Sequence, residues 1–292
     1  MLKELFEVFS PSGNEECIRE LLKQQFGGIF ERLQTDNIGN LIAGSGSGGL
    51  CIECGMDSSG IMVVSKTDSR VYFASVGGLK TVDLADRTIV FGNGKTGIVK
   101  YNEEIDLKTE KISDLYIETD TSDIQIGDFG AVVTEFDEDE NGFSGYGLKN
   151  RIGLAAVCSA LKAVGKVENV TVLFSAQKRL GARGIRAFFG ADNFERVITV
   201  DACSNDGCLV IAKDAKSVAS VGIGAELEKL ADENDLDVET AVCDDNFYIE
   251  QILITDNPCG AVGISVLCED DQLQRVNKTD FDTAVNLLKQ II

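Results

Sequence analysis

The fold class is indicated by the stretch NRIGLAAVCSALKAVGKVENVTVLFSA, residues 150–176, which changes from a helical pattern to a buried-strand pattern within one run. Apolar residues at helical spacing predict a helix over 150–165, and TVLFSA predicts a buried strand over 171–176. The pattern repeats as a helix over 181–189 and a strand, RVITVDA, over 196–202. This alternation predicts an α/β sandwich around a largely parallel sheet.

The chain on either side supplies further elements of the same unit. Ser12-Gly13-Asn14-Glu15 has the form of a capping box and predicts a helix over 14–26. The other predicted elements are a hairpin over 33–43, a first core strand over Leu50–Met56, a strand in the apolar run 259–268 and a final amphipathic helix over about 279–291.

From about residue 60 the pattern changes to short β-rich runs separated by Gly, Asn and Asp turns. The runs are GIMVVSK, RVYFASV, TIVFG, TGIVKY, DLYIET and GAVVTEF. Such spacing is typical of a small β-barrel or sandwich, and no helix is predicted before Asn150. The sequence therefore predicts an all-β insertion within the α/β unit.

Composition excludes several functions. The 292 residues include 27 Lys and Arg against 48 Asp and Glu, a formal charge of −21, which argues against a nucleic-acid partner. The chain has no histidine. It therefore lacks the imidazole ligand that zinc favours, the usual general base near neutral pH, and any Ser-His or Cys-His nucleophile pair.

The termini and cysteines bear on location. The opening MLKELFEVFS lacks the basic region and long apolar stretch of a signal peptide, and no apolar window is long enough for a membrane span, so we expect a cytoplasmic protein without a membrane partner. Nine cysteines, mostly in apolar runs, are expected to be reduced and buried. Cys51 and Cys54 form one CxxC, but alternation along a strand places them on opposite faces, against a redox pair.

Several segments together resemble the glutamyl (tetrahedral) aminopeptidases, exopeptidases with two cocatalytic zinc ions. The matching residues are Pro11–Glu16, Asp36–Leu41, Gly55-Met56-Asp57 with Gly60–Val63, Val76–Gly78, Gly94 with Gly97–Val99, Leu115–Ile117, Ile126–Asp128, Arg151 with Gly153, Gln177 with Leu180-Gly181 and Arg183-Gly184, Val200-Asp201, and Gly263–Ser265. The resemblance implies a zinc-exopeptidase-like (phosphorylase/hydrolase-like) α/β sandwich formed by residues 1–60 and 143–292, with an inserted small all-β barrel domain at 61–142. It also implies assembly into homo-oligomers through that insertion.

The sequence departs from the family pattern at the positions of the metal ligands. Gly55 stands where the family has its first metal-binding His, Lys149 and Asn150 where it has the bridging Asp and the Asp that follows, and Lys178-Arg179 where it has a general base and a metal ligand, both Glu. The last His would fall near Gln272. Of the expected set, Asp201 and the supporting Asp57 remain.

These replacements exchange about three negative charges for three positive ones, a repulsion toward a dication of several kcal/mol per contact at ~4 Å. We therefore expect no metal and no other cofactor. We further expect Lys149, Lys178 and Arg179 to pair with Asp57 and Asp201. The alternatives are a solvated charge pair at a strand end for Lys178-Arg179 and a loop-capping carboxylate for Asp201.

Three functions remain open. The first is a non-catalytic binding, regulatory or assembly subunit whose former active site holds a small anion or a peptide carboxylate, and which forms a homo-oligomer or co-assembles with an active relative. The second is an active metallo-aminopeptidase in which thiols such as Cys203 or Cys268 join Asp201 as ligands. The third is a metal-free hydrolase that uses Lys178 or Lys149 as base or nucleophile.

Overall fold

The computed structural model describes residues 1–44, 46, 48–101, 111–190, 193–268 and 273–292. Among the helices in these ranges, none combines the length and hydrophobicity needed to cross a lipid bilayer. The helices are α1 (Leu2–Glu7), α2 (Glu16–Phe26), α3 (Thr81–Leu84), α4 (Ile152–Val164), α5 (Arg183–Phe189), α6 (Val221–Glu233), α7 (Ile249–Leu253) and α8 (Lys278–Ile291). The strands are β1 (Leu33–Thr35), β2 (Leu41–Ala43), β3 (Leu50–Gly55), β4 (Gly60–Lys66), β5 (Arg70–Val76), β6 (Thr88–Phe91), β7 (Thr96–Lys100), β8 (Tyr116–Glu118), β9 (Phe129–Val132), β10 (Asp137–Glu138), β11 (Gly142–Gly145), β12 (Val170–Ser175), β13 (Arg196–Cys203), β14 (Cys208–Lys213), β15 (Val238–Val242), β16 (Cys259–Ser265), β17 (Leu267–Cys268) and β18 (Gln274–Asn277).

An eight-stranded mixed sheet in the order β1-β2-β12-β3-β13-β16-β14-β15 forms the centre of the α/β unit. Its middle strands β12, β3, β13 and β16 run parallel to one another. β12, β3 and β16 are buried over all or nearly all of their length and β13 over its central residues, as expected for strands covered on both faces. The predicted α/β sandwich with a largely parallel core is confirmed.

Helices cover both faces of this sheet. Apolar side chains of α2, α4, α6 and α8 pack on one face, and those of α5 and α7 pack on the other. Cys54 belongs to the first core and Cys51 to the second, so the predicted separation of the CxxC pair is confirmed. Of the nine cysteines seven are buried, whereas Cys17 and Cys268 are exposed, contrary to the expectation of buried thiols there.

The β-rich segment forms a closed barrel in the order β4-β5-β8-β7-β6-β9 around its own apolar core, which confirms the predicted small barrel. The expectation of no helix before Asn150 is wrong. The short helix α3 and a 3₁₀ turn over Ile112–Asp114 connect barrel strands. Both are single turns in which an aspartate three residues on accepts from the backbone N–H of the preceding lysine, a local signal that strand patterning does not register.

The predicted capping box at the start of α2 is not formed. The carboxylate of Glu15 accepts from the backbone N–H groups of Gly13 (2.7 Å) and Gln177 (3.0 Å), and the hydroxyl of Ser12 has no hydrogen-bond partner among the described residues. Glu15 thus joins the turn before α2 to the loop after β12, and the helix begins at Glu16, two residues later than predicted.

A four-stranded sheet, β10-β11-β18-β17, joins the end of the barrel segment to the C-terminal part of the chain. In its antiparallel register Gly145 lies opposite Gln274. This pairing brings Gln274 close to the chain that leads into α4, where Lys149 and Asn150 lie.

Candidate functional site

The candidate site lies at the carboxyl ends of the neighbouring strands β12, β3 and β13. The parallel registers set Ser175 opposite Gly55 and Thr199 opposite Glu53. The chain then continues from β3 to Asp57 and from β12 into a 3₁₀ turn over Lys178–Leu180. Because parallel strands end at one edge of the sheet, residues far apart in sequence meet there.

Lys178 is the centre of a buried ion cluster. Its ammonium Nζ lies 3.0 Å from Oε2 of Glu53 and 2.9 Å from Oδ2 of Asp201, and the side chains of Lys178 and Glu53 are 2% and 0% exposed. Glu53 also accepts 2.6 Å hydrogen bonds from the hydroxyls of Ser175 and Thr199. The buried charges are therefore paired and hydrogen-bonded, as burial requires.

The cluster changes the proton affinity of its members. Burial by itself would lower the pKa of Lys178, but the carboxylates of Asp201 and Glu53 outweigh it and raise that pKa above its ordinary value. Burial likewise opposes ionisation of Asp201, yet Lys178 and Arg179 outweigh it and lower the pKa of Asp201. At neutral pH Lys178 is an ammonium and Asp201 a carboxylate.

Gly55 makes room for the stem of Lys178. A Cβ atom at Gly55 would lie 2.7 Å from Cδ of Lys178, closer than packed carbons allow. A side chain at position 55 would therefore overlap the stem of Lys178, so the lysine in this position requires a glycine at position 55.

Arg179 connects the cluster to Asp57. Its backbone N–H donates to Oδ2 of Asp57 at 2.9 Å, its guanidinium donates to the backbone oxygen of Lys149 at 3.1 Å, and its Nη2 lies 3.8 Å from Asp201. The other carboxylate oxygen, Oδ1 of Asp57, is buried and accepts no hydrogen bond within the described part of the chain.

Arg151 lies fully buried beside this group. It donates from Nη1 to the backbone oxygen of Met56 at 2.6 Å and from Nη2 to the hydroxyl of Ser10. Burial, only partly offset by the charge of Asp57, lowers the pKa of Arg151 to about 10. Arg151 therefore remains positive at neutral pH and holds the loop between β3 and β4.

The remaining predicted residues are arranged differently from expectation. Lys149, expected to pair with the carboxylates, has an exposed side chain and forms no ion pair with any described residue; its backbone N–H donates to Oε1 of Gln274 at 2.9 Å. Asn150 has a buried Oδ1 without a described partner. Gln272 lies outside the described residues.

Sequence reasoning missed Glu53 and Gln274. Glu53 is the one acidic residue in the buried strand LCIECG, and a charge in such a strand needs an internal partner, so that position was a usable signal. Gln274 carried no comparable signal, because its role depends on the pairing of β11 with β18.

A cavity of about 500 Å³ lies against the cluster. Its lining includes three cationic residues, Lys149, Arg151 and Arg179, and two acidic residues, Glu7 and Asp83. Arg179 lines the cavity and lies 3.8 Å from Asp201, so a molecule in the cavity that contacts Arg179 would be connected through it to the ion cluster.

Comparison with known proteins agrees with this architecture. The family model described as M42 glutamyl aminopeptidase matches residues 39–287. A protein of Acetivibrio thermocellus, provisionally named an aminopeptidase, is 26% identical over 321 residues that cover 100% of this chain and 97% of that protein.

Two solved structures show the same fold. The TET1 peptidase of Pyrococcus horikoshii, described as assembling into a tetrahedron or a large octahedral shell, superposes with a TM-score of 0.86 at 20% identity over 99% of this chain and 97% of that one. An aminopeptidase from the archaeon Desulfurococcus kamchatkensis gives a TM-score of 0.88 at 18% identity over 100% and 93%. At these identities the likeness establishes the fold alone.

Proposed function

The chain belongs to the M42 glutamyl aminopeptidase family, and from that premise we propose that it has lost metal-dependent peptidase activity and acts as a non-catalytic binding, regulatory or assembly subunit. The observation that carries this proposal is the ammonium of Lys178, 2.9 Å from Asp201 and 3.0 Å from Glu53. Asp201 is the one residue retained from the ligand set that the family resemblance implies, and a lysine already neutralises it.

The residues at this edge of the sheet do not fit a pair of zinc ions. Zinc ligands in proteins are thiolates, neutral imidazoles and carboxylates at about 2.0–2.3 Å. An ammonium at roughly 4 Å from a dication costs about 8 kcal/mol at an effective dielectric constant of about 20. Lys178 and Arg179 both lie within 4 Å of Asp201, so an ion bound to Asp201 would meet two positive charges.

The coupling between Gly55 and Lys178 supports the same conclusion. By the family resemblance position 55 carried a histidine ligand, whereas here a Cβ atom alone would overlap the stem of Lys178. The pocket has therefore exchanged an imidazole and a carboxylate for a glycine and a lysine that fit together.

The two alternative functions have less support. A general base must lose its proton near neutral pH, and the carboxylates of Asp201 and Glu53 raise the pKa of Lys178 despite its burial. A metallopeptidase with cysteine ligands would need thiols grouped around Asp201. Among the described residues, the ligand atoms of Cys203 group instead with Cys243 and Asp245.

The cavity beside the cluster supports a ligand-binding role. Lys149, Arg151 and Arg179 line it, and Arg179 presents a planar fork suited to a carboxylate or phosphate. We propose a small anion or a peptide carboxylate as the ligand. The assembly of the TET1 peptidase favours a homo-oligomer. We propose this or co-assembly with an active relative, with residues 61–142 as the assembly module that the family resemblance implies.

The test of lost activity is aminopeptidase assay and elemental analysis of untagged protein, since a histidine tag would add the ligands that the chain lacks. We expect no hydrolysis of aminoacyl anilides with Zn²⁺ or Co²⁺. We also expect the wild type and Asp201→Asn to contain the same amount of bound metal. Asp123→Asn, which removes an exposed ion-paired carboxylate, is the control. Hydrolysis that requires metal and is lost in Asp201→Asn alone would refute the proposal.

A further inference from the structure

A second group of ligand-type side chains lies apart from the Lys178 cluster. Cys203 ends β13, and Cys243 and Asp245 follow the end of β15. One ligand atom from each of the three, two Sγ and a carboxylate oxygen, lies within 4.8 Å of both others. The two thiol residues are 2% and 3% exposed, and Asp245 is partly exposed.

The main chain holds these three residues in place. The N–H of Cys243 donates to the backbone oxygen of Lys213 at 3.0 Å, and the backbone oxygen of Asp245 accepts from Ala215 at 2.9 Å. The Asp245 carboxylate accepts from the N–H and the hydroxyl of Ser204 at 2.7 and 3.1 Å. Carboxylates that bind metals in proteins are commonly held by hydrogen bonds of this kind, with Ser204 here as the orienting group.

We propose that Cys203, Cys243 and Asp245 bind one zinc-type ion through two thiolates and one carboxylate. In a tetrahedral zinc site with Zn–S of about 2.3 Å, neighbouring ligand atoms lie roughly 3.5–3.8 Å apart. Ligand atoms already within 4.8 Å of one another reach that geometry by small side-chain adjustments. Two sulfur ligands select zinc or a similar soft ion over Mg²⁺ or Ca²⁺.

The electrostatic surroundings of this group differ from those of Asp201. A metal ion bound to Asp201 would meet the positive charges of Lys178 and Arg179, whereas the principal charges near the two thiols are negative. Burial raises the pKa of both thiols, and the principal charges that act on them are those of Asp245, Asp214 and each other. Without an ion the buried thiols are protonated. Binding would therefore form two Zn–S bonds and one Zn–O bond to the carboxylate, with one water of the aqueous ion kept as the fourth ligand and two thiol protons released to solvent, so that the group carries one negative charge before and after.

The proposed ion would tie the end of β13 to the segment that follows β15. That segment leads to Phe247, whose backbone oxygen accepts from the hydroxyl of Thr199 within the Lys178 cluster, and to Tyr248. The site thus goes beyond the proposed function, because it would fix the segment that contacts Thr199 while Asp201 stays paired with Lys178.

The experiment is a Co²⁺ titration of the untagged, reduced, demetallated protein, followed by competition with Zn²⁺. We expect one equivalent, with thiolate-to-cobalt charge transfer in the near ultraviolet and the visible bands of tetrahedral cobalt. Cys203→Ala and Cys243→Ser each abolish the bands, and Ser204→Ala weakens binding about 10- to 100-fold. Cys17→Ala, at an exposed thiol, leaves them unchanged. Circular dichroism of each ion-free variant checks that it is folded.

Two results would overturn the inference, and they differ in what they say about the proposed function. No binding to the reduced protein, or a Cys203–Cys243 disulfide as the only reaction of the pair, removes the zinc site and leaves the proposed function standing. Binding that survives Cys243→Ser but is lost in Asp201→Asn would place the ion at Asp201 and refute both.

Discussion

The Lys178 cluster makes a quantitative prediction about Lys178→Met, which removes the ammonium and keeps the length of the side chain. Nζ lies 3.0 Å from Glu53 and 2.9 Å from Asp201, and at an effective dielectric constant of about 20 each attraction amounts to roughly 5–6 kcal/mol. Burial of the ammonium costs several kcal/mol in desolvation, and the variant does not incur this cost, so part of the lost attraction is offset. We expect a net loss of about 3–5 kcal/mol in the free energy of unfolding, as for other broken buried pairs.

The assay is urea unfolding followed by circular dichroism, with two comparisons. Lys95→Met is the matched control, because Lys95 also contacts two carboxylates, at 2.9 and 3.1 Å, but at the surface. Its effect should be a small fraction of that of Lys178→Met. In Lys178→Met, the second change Glu53→Gln should recover part of the loss, since the amide can still bond Ser175 and Thr199. Equal losses at positions 95 and 178, or no recovery by Glu53→Gln, would refute the reasoning.

Three further predictions concern the same pocket. Because Lys178 and Arg179 outweigh burial and lower the pKa of Asp201, its ionised form contributes stability that is lost as pH falls below about 4 through the lowered native pKa. Thermal melting should therefore show a smaller acid loss in Asp201→Asn than in the wild type, and an equal loss would contradict this. Phosphate or a short peptide should raise the melting temperature, with affinity about tenfold or more weaker in Arg179→Ala and unchanged in Lys95→Ala; an equal shift in both variants would exclude the cavity. Gly55→Ala should lower the free energy of unfolding, measured in urea, by about 1–3 kcal/mol because the added methyl group overpacks against Lys178. Gly222→Ala, where an added Cβ atom meets no neighbouring atom within 4 Å, should not lower it. Equal effects of the two substitutions would show that the side chain of Lys178 moves aside without cost.

Much of the fold was predictable because it depends on local periodicity. The runs GIMVVSK and RVYFASV coincide with β4 and β5 residue for residue, and TVLFSA falls on β12 to within one residue. Alternating and continuous apolar patterns act over a few residues, so they are legible in one sequence. The same holds for the separation of Cys51 from Cys54, which follows from strand alternation alone.

Three charges of the pocket, Lys178, Arg179 and Asp201, could be named from the sequence, because they stand at the positions that the family resemblance marks. Their pairing, and the presence of Glu53 among them, depend on the tertiary structure. Lys178 pairs with Glu53, a residue 125 positions away that belongs to no motif, whereas the exposed side chain of Lys149 forms no ion pair with any described residue. Cys203 meets Cys243 and Asp245 for a different reason: β15 runs antiparallel to β13, and the segment after β15 returns to the end of β13, where the Asp245 carboxylate accepts from the N–H of Ser204. Parallel strands bring residues that are distant in sequence to one edge of the sheet. Local sequence patterns do not specify the order of the strands, and so they do not show which of these residues become neighbours.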